Sequence, residues 1–349
     1  MTPTKLDLAR WAVVAYNDDT GLGRMAQDIT AVLGLRQLVV ASDRLDTRPL
    51  RPGVDALLSL TADESEIADL LAGVQGLVLL EKCWNPHLPV VARRLGVKIA
   101  CVPMWEWFRG TDAEWGLVDT FLCPSALALN TVRGYGYTNA IQLPWTLDLS
   151  RFSPRAIAGR ARVFFHNGGL MDHDDRKSTR DTIAAFRQLR PRDARLIVRM
   201  QKAADLGPLD DRIDVRVGNV TPVGALYAEG EVAVQPSTME GLGFMVLEPV
   251  CCGVPTMTLD HGPMSDHVRQ AELRVRKRWF KRSAFPNRGA AITHAHRRLP
   301  VVSDLTRKMA WCMAHDLAGV SRANRSFAEE TFEPGRLREQ WSRALSALL

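Results

Sequence analysis

Short runs of apolar residues alternate with helix-length amphipathic segments along most of this chain. The runs are four to seven residues long, and segments such as 23–33 and 89–95, with apolar positions at helical spacing, lie between them. Strands that alternate with helices in this way predict parallel sheets with helices on both faces. The strands predicted in the first half of the chain are 11–16, 37–41, 76–80, 98–104 and 120–124.

A proline-rich passage over residues 143–154 (LPWTLDLSRFSP) interrupts this alternation, and a second series of strands follows it. We therefore predict an α/β protein with two Rossmann-like domains, 1–150 and 151–326, and a ligand cleft between the carboxyl ends of their sheets. Residues 327–349 carry apolar positions at helical spacing and predict a C-terminal helix. The strands predicted in the second domain are 162–166, 195–200, 214–217, 232–236 and 256–260.

Composition agrees with a soluble two-domain protein. The chain has 349 residues, 46% of them hydrophobic and 24% charged, which suffices for more than one core. The first ten residues include charges and no apolar stretch of signal-peptide type, so we expect a cytoplasmic protein without a signal peptide. The six cysteines form no CxxC pair, and we expect them to be reduced core thiols.

The segment 235–255 (QPSTMEGLGFMVLEPVCCGVP) combines an apolar strand, a glycine turn and a helical stretch. The free N–H groups and the dipole at a helix N-terminus favour an anion such as a diphosphate. Glycines on both sides let the backbone approach such a ligand closely. Glu240 at the turn and Glu248 about two helical turns further on offer carboxylates to a ligand rich in hydroxyls.

This segment resembles the retaining glycosyltransferases of the GT-B fold, which carry two glutamates separated by seven residues in the context PSxxEGxGxxxLEAxxxGxP. Pro249 stands where that family usually has alanine. Residues 143–154 resemble the interdomain element of the family, and 327–349 resemble the terminal helix that crosses back onto its first domain. The matching positions of the main segment are Pro236, Ser237, Glu240, Gly241, Gly243, Leu247, Glu248, Gly253 and Pro255.

The resemblance implies a role for each part of the segment. Glu240 is expected to bind hydroxyls of the transferred sugar, and Glu248 the ribose of the nucleotide. The backbone amides of Gly241, Leu242 and Gly243 are expected to hold the distal phosphate. The alternative is structural, with Glu240 as a helix cap and Glu248 on a solvated face.

Residues 164–186 resemble the first strand and loop of the donor domain in that family. Arg176 and Lys177 are therefore expected to neutralise the diphosphate as it leaves, and Gly169 to lie in the glycine turn before them. The usual Gly-Arg of that turn is Gly168-Gly169 here, so the charge rests on the basic pair. The alternative is a solvated pair at the start of a helix.

The first domain matches the family less closely. Gly21 and Gly23 follow the first strand, where this fold faces the donor phosphates, and Asp19 is expected to assist the acceptor unless it only caps the helix. The family's histidine after the fourth or fifth strand is missing from the stretch 101–108. Glu106, between two tryptophans, is the substitute we predict, and a tryptophan-rich packing patch is the alternative.

The family mechanism implies retention of configuration, with the leaving phosphate accepting the proton of the acceptor. We expect a nucleotide-sugar co-substrate of the UDP-glucose type and no permanently bound cofactor. Since no pair of aspartates has metal-ligand spacing, we also expect metal independence, with Arg176 and Lys177 in place of a cation.

Net charge is +6, and the basic excess lies in the second half, most densely in 269–298, which has ten Lys or Arg against one Glu. Trp279, Phe280 and Phe285 are interleaved with these cations, as in proteins that bind nucleic acid. We expect the acceptor to be a hydroxymethylated base in DNA, as in viral members of the superfamily. The predicted nucleic-acid contacts are Arg274, Arg276, Lys277, Arg278, Lys281 and Arg282.

Three alternatives remain open for this basic stretch and for the protein. The acceptor is a lipid or polysaccharide of the cell envelope, with the cations on anionic headgroups. The stretch is a solvated surface insertion. The whole protein is a non-catalytic binder of nucleotide sugars or nucleic acid on a degenerate scaffold.

Overall fold

The computed structural model describes residues 5–17, 21–40, 54–171, 175–283 and 294–349. The chain divides into two compact units. Unit 1 comprises Met1–Asp148 and Phe332–Leu349, and unit 2 comprises Leu149–Thr331.

Unit 1 contains a parallel sheet with the strand order β3-β2-β1-β4-β5-β6-β7. Its central strands are buried along their whole length, which explains why they read as continuous apolar runs rather than alternating ones. The strands are β1 (Trp11–Ala15), β2 (Arg36–Val40), β3 (Val54–Leu58), β4 (Gly76–Leu80), β5 (Lys98–Val102), β6 (Thr120–Cys123) and β7 (Ala140–Gln142). The helices between them are α1 (Gly21–Leu33), α2 (Glu64–Leu70), α3 (His87–Arg94) and α4 (Ala126–Gly134).

Unit 2 contains a second parallel sheet, in the order β10-β9-β8-β11-β12-β13. A buried cluster that includes Phe164, Phe186 and Val246 packs its helices onto the strands. The strands are β8 (Val163–Gly169), β9 (Arg195–Met200), β10 (Ile213–Val217), β11 (Val232–Gln235), β12 (Thr256–Leu259) and β13 (Arg274–Val275). The helices are α5 (Thr179–Arg187), α6 (Phe244–Cys251), α7 (Val302–Ala314) and α8 (Ala318–Thr331).

A two-stranded antiparallel ribbon follows the sheet of unit 2. Its strands are β14 (Lys277–Ser283) and β15 (His296–Pro300). Its two strands overlap the basic stretch 269–298 that the sequence singled out.

The predicted C-terminal helix is two helices rather than one. Helix α8 ends at Thr331, and α9 (Pro334–Ser346) begins after a break. Pro334 suits the first turn of a helix because it has no N–H to leave unpaired, and the side chain of Glu333 caps α9 by accepting from two backbone N–H groups. In unit 1, Trp341 of α9 donates its indole N–H to the carbonyl of Pro144 at 3.0 Å.

Both sheets have a position where the strand order reverses. In unit 1 it lies between β1 and β4, and in unit 2 between β8 and β11. Loops that leave the carboxyl ends of such strands diverge and leave a crevice in which open α/β sheets bind ligands. The fold therefore directs attention to the loops after these four strands.

Candidate functional site

The loop between β11 and α6 carries the predicted glutamate Glu240. Gly243 ends this loop with a φ of 87°, and a Cβ there would lie 3.2 Å from Cγ of Met264. Glycine is required at this position both by the left-handed backbone and by the close packing. The turn thus presents the N-terminus of α6 toward the carboxyl edge of the sheet.

Glu240 forms an ion pair with both residues of the predicted basic pair. Its Oε1 lies 2.5 Å from Nζ of Lys177, and its Oε2 lies 3.6 Å from Nη1 of Arg176. The hydroxyl of Ser237 also donates to the carboxylate. The structure therefore joins residues that are 63 positions apart in the sequence at the crevice between β8 and β11.

The charge of Glu240 is stabilised in place. Burial by itself raises the pKa of this carboxyl, because only 7% of the residue is exposed. The charges of Lys177 and Arg176, with hydrogen bonds from Lys177 and Ser237, outweigh burial and hold the pKa below its ordinary value. Glu240 is therefore a hydrogen-bond acceptor at neutral pH.

The basic loop after β8 is held to the β11–α6 loop by its backbone. The carbonyl of Arg176 accepts from the N–H of Thr238 at 2.8 Å, and from the hydroxyls of Thr238 and Ser237 at 3.0 and 3.2 Å. The carboxylate of Asp175 caps α5 by accepting from two backbone N–H groups. Gly169, with a φ of 56°, begins this loop at the end of β8. These contacts fix the position of Lys177 before any ligand arrives.

Glu248 lies on α6 and is 3% exposed. Its Oε2 accepts a hydrogen bond of 2.5 Å from the hydroxyl of Tyr227. This buried carboxylate does not lie on the solvated face that the structural alternative for Glu248 expected. Tyr227 was missed by sequence reasoning, since it precedes Glu248 by 21 positions in a segment without a motif.

Two histidines that the sequence did not single out support these loops. The ring of His166 on β8 bridges the carbonyl of Val234 at 2.6 Å and the hydroxyl of Thr179 at 3.0 Å. Burial lowers the pKa of His166 to about 4, so the ring is neutral at pH 7. His267 bonds through Nε2 to the carbonyl of Leu242 at 2.7 Å, next to the glycine turn.

In unit 1 the described site residues, Gly21, Gly23 and Glu106, follow strands β1 and β5 at the carboxyl edge of its own sheet. Gly21 begins α1 and Gly23 is buried in its first turn. Asp19 lies outside the described residues, which omit 18–20. Glu106 is 4% exposed in a turn that follows β5. The roles assigned to these residues stay predictions.

A cluster of charged and aromatic side chains occupies the loop after β4 in unit 1. Glu81 and Trp84 have φ values of 70° and 61°, which are strained conformations for such residues. The ammonium of Lys82 lies 3.6 Å from Glu81, 5.6 Å from the ring centre of Trp84 and 5.9 Å from that of Trp107. Burial raises the pKa of Glu81 more than Lys82 lowers it. Backbone strain at this loop was invisible to sequence reasoning.

The six predicted nucleic-acid contacts divide into three groups. Arg274 of β13 donates to the carbonyl of Val268, and Arg278 donates to that of Pro300 across the ribbon. Arg276 and Lys277 are exposed. The side chains of Lys281 and Arg282 lie outside the described part of the structure, although their backbone is part of β14.

Within the described ranges, no group of three or more His, Cys, Asp or Glu residues is arranged to hold a metal ion. No described helix is long and apolar enough to cross a membrane. All six cysteines are buried and free, as the sequence predicted.

Comparison with known sequences finds a family whose model matches part of the chain. Residues 161–279 match the family described as Glycosyl transferases group 1. A GDP-mannose-dependent alpha-(1-6)-phosphatidylinositol dimannoside mannosyltransferase of Mycobacterium tuberculosis is 26% identical over 184 residues, which cover 44% of this chain and 47% of that protein. Sulfoquinovosyl transferase SQD2 of Arabidopsis thaliana is 27% identical over 202 residues, covering 53% of this chain and 38% of that protein. The chain thus spans less than half the length of either relative.

Comparison with solved structures identifies the fold. The HepE protein of Anabaena in complex with UDP superposes with a TM-score of 0.74 at 12% identity, covering 97% of this chain and 100% of that one. The lipopolysaccharide outer core galactosyltransferase WaaB superposes with a TM-score of 0.63 at 12% identity, covering 97% and 99%. The two Rossmann-like units therefore match GT-B glycosyltransferase structures, which confirms the predicted fold class.

Proposed function

We propose that this protein is a glycosyltransferase that moves a hexose from a nucleotide sugar to a hydroxyl group of an acceptor. The observation that carries the proposal is the cluster of Lys177, Arg176 and Glu240 at the crevice between β8 and β11. The cluster lies next to the N-terminus of α6, within the segment that matches the group 1 family. Cations, helix amides and a fixed carboxylate are what a diphosphate joined to a sugar needs.

In this proposal each charged group binds a different part of the nucleotide sugar. Lys177 and Arg176 neutralise the diphosphate, with the backbone amides of Gly241 to Gly243 beside them. Glu240 accepts hydrogen bonds from sugar hydroxyls, because its lowered pKa keeps the carboxylate ionised at neutral pH. Glu248, oriented by Tyr227, receives the ribose hydroxyls.

The proposed reaction exchanges one bond at the anomeric carbon. The bond from that carbon to the diphosphate oxygen breaks, and a bond to the acceptor oxygen forms. The acceptor proton passes to the leaving phosphate, so the products are a glycoside and a nucleoside diphosphate. We propose retention of configuration, which the resemblance to the retaining family implies. We also propose independence of metal, because the two cations stabilise the leaving group.

We propose UDP-glucose as the first donor to test. Structures of HepE with UDP-glucose and with UDP and glucose support this choice. The name of the mycobacterial relative makes GDP-mannose the second. A cytoplasmic location, which we also propose, is supported by the six free cysteines, since free thiols persist in reducing compartments.

For the acceptor we propose a hydroxymethylated base in DNA, supported by the basic ribbon β14–β15. A cell-envelope glycolipid is the second candidate. It is favoured by the names of two similar proteins, one of which acts on phosphatidylinositol dimannoside and the other on lipopolysaccharide outer core.

The test combines donors and acceptors in one experiment. The purified protein is incubated with UDP-glucose or GDP-mannose and with hydroxymethylated duplex DNA, unmodified DNA or extracted envelope lipid. We expect a hexose mass increase in nucleosides digested from the hydroxymethylated DNA alone. Transfer to lipid instead would reject the DNA acceptor. Binding of nucleotide without cleavage of any donor would reject the enzyme and leave a non-catalytic binder.

A further inference from the structure

The ribbon β14–β15 carries an unusual surface. Trp279 is 91% exposed. Its ring contacts that of Phe280, and the two ring centres lie 5.8 Å apart. A tryptophan costs free energy when it is left in water, and exposed aromatic residues usually mark a binding surface. Arg278 directly precedes it in β14, and Phe280 follows it.

The ribbon is firmly attached at its base. The carboxylate of Asp304 accepts from the backbone N–H of Arg276 at 2.7 Å and lies 3.4 Å from its guanidinium, and the ammonium of Lys277 donates to the carbonyl of Asp260 at 2.9 Å. Arg276 keeps 68% of its side chain exposed beside Asp304, and Lys277 is exposed as well. The base therefore presents cations to solvent from a rigid support.

The ribbon also touches the proposed donor site. The backbone N–H of Arg298 on β15 donates to the carbonyl of Thr238 at 3.1 Å. Thr238 in turn donates its own N–H to the carbonyl of Arg176. A partner held by the ribbon is thus connected through one residue to the basic pair.

We propose that the ribbon β14–β15 docks duplex DNA, with Lys277 and Arg276 on phosphates and Trp279 stacked on or wedged between bases. A two-stranded ribbon fits the major groove, and apolar wedges between base steps are a recurrent device of DNA-binding proteins. As an account of acceptor binding this inference rests on the proposed function, whereas DNA binding itself does not.

The ribbon favours DNA over a membrane surface. Insertion into the headgroup region needs a substantial apolar face. Among the described residues of the ribbon, Trp279 is the one large hydrophobic side chain that is strongly exposed, and its neighbours are mostly cationic. One ring that can stack among many cations fits phosphates and bases better than acyl chains.

The test measures binding of a fluorescent DNA duplex by anisotropy at several salt concentrations. The duplex has about 20 to 30 base pairs, which corresponds to about two to three helical turns. In Trp279→Ala we expect affinity to fall about tenfold, because loss of one stacked base has that effect. In the double variant Arg276→Gln with Lys277→Gln we expect the salt dependence to weaken by about two phosphate contacts. The controls are Arg190→Gln with Arg192→Gln, exposed cations in the loop that enters β9, and Leu209→Ala.

Two further measurements separate the possible failures. Equal DNA binding by the wild type and both ribbon variants would overturn the proposal. The proposal would also be overturned if the wild type bound anionic phosphatidylglycerol vesicles but not DNA, and if the ribbon variants lost that vesicle binding. Release of nucleoside diphosphate from UDP-glucose is measured on the same samples. We expect the ribbon variants to retain it, and its absence from the wild type would reject the glycosyltransferase while leaving the DNA-docking result intact.

Discussion

The two units have the same kind of sheet but place different chemistry at the point where the strand order reverses. In unit 2 the loops after β8 and β11 bring Lys177 and Arg176 onto Glu240. In unit 1 the loop after β4 carries Glu81, whose pKa is raised by burial, among aromatic rings. Topology alone therefore predicts the edge at which each unit binds a ligand, and we expect the residues in the loops to decide which ligand. We expect unit 2 to bind an anion and unit 1 a neutral ligand with hydroxyl groups.

The largest effect is expected from Glu240→Gln. Loss of the carboxylate removes the acceptor for the sugar and leaves Lys177 and Arg176 without its charge, so we expect donor cleavage to fall by a factor of about 10² to 10³. Nucleoside diphosphate release under saturating donor checks this. Glu272→Gln, an exposed glutamate of the same unit, is the control and should be unchanged. A similar loss of donor cleavage in Glu81→Gln of unit 1 would contradict the difference between the carboxyl edges of the two sheets.

The next effect concerns acid stability, which should differ between the units. The pKa of His166 is about 4 in the folded protein, against about 6.5 when unfolded. The unfolded chain binds the proton more readily, so stability is complete above pH 6.5 and is lost as pH falls toward 4. The loss amounts to about 3 kcal/mol for this fully buried ring.

Urea unfolding of His166→Gln and wild type at pH 7 and pH 4.5 measures this loss. The variant should lose less stability between the two pH values than the wild type. His87→Gln in unit 1 is the control, because that ring is half-exposed. Hydrogen exchange should show unit 2 opening before unit 1 in acid. If unit 1 opened first, the assignment of acid sensitivity to His166 would be wrong.

Matched glycines give a smaller effect on the same comparison. Gly243→Ala forces a Cβ into a left-handed backbone at 3.2 Å from Met264, so we expect a loss of about 1–2 kcal/mol in the free energy of unfolding. In Gly21→Ala the new Cβ meets nothing within 4 Å, and stability should hold or rise slightly. Thermal unfolding of both variants compares them, and an equal loss would contradict the difference.

The smallest effect is expected at Tyr227. Tyr227→Phe removes the hydrogen bond to Glu248 but keeps the ring, so donor KM should rise about tenfold while kcat changes little. Steady-state kinetics with varied UDP-glucose measures both constants. Tyr137→Phe, in which a comparable hydroxyl bond to a backbone carbonyl is lost in unit 1, is the control. A fall in kcat with unchanged KM would place Tyr227 in the chemical step.

Periodicity was sufficient to predict the central strands and the fold class, because buried parallel strands are continuous apolar runs. It missed β3, β7, β13 and the two ribbon strands β14 and β15. Strand β7 has three residues, two of them exposed, and such a short edge strand has no distinctive pattern. The break between α8 and α9 was also missed, although Pro334 marks it.

The part of the site that lies within one sequence motif could be predicted. Glu240, Gly243 and Glu248 lie within one segment at fixed spacing. The pairing of Lys177 with Glu240 and of Tyr227 with Glu248 depends on tertiary contacts over 63 and 21 positions, which no local pattern encodes. The cluster around Lys82 in unit 1 depends on the backbone conformation of Glu81 and Trp84, which sequence does not reveal.

The most direct test of the central claim is release of nucleoside diphosphate by the purified protein from a panel of nucleotide sugars, compared with Lys177→Met. We predict that the wild type cleaves at least one donor, with UDP-glucose the first candidate. In Lys177→Met we expect the rate of this cleavage to fall by a factor of about 100 or more. Equal rates in the two proteins, or no cleavage of any donor by the wild type, would contradict the account.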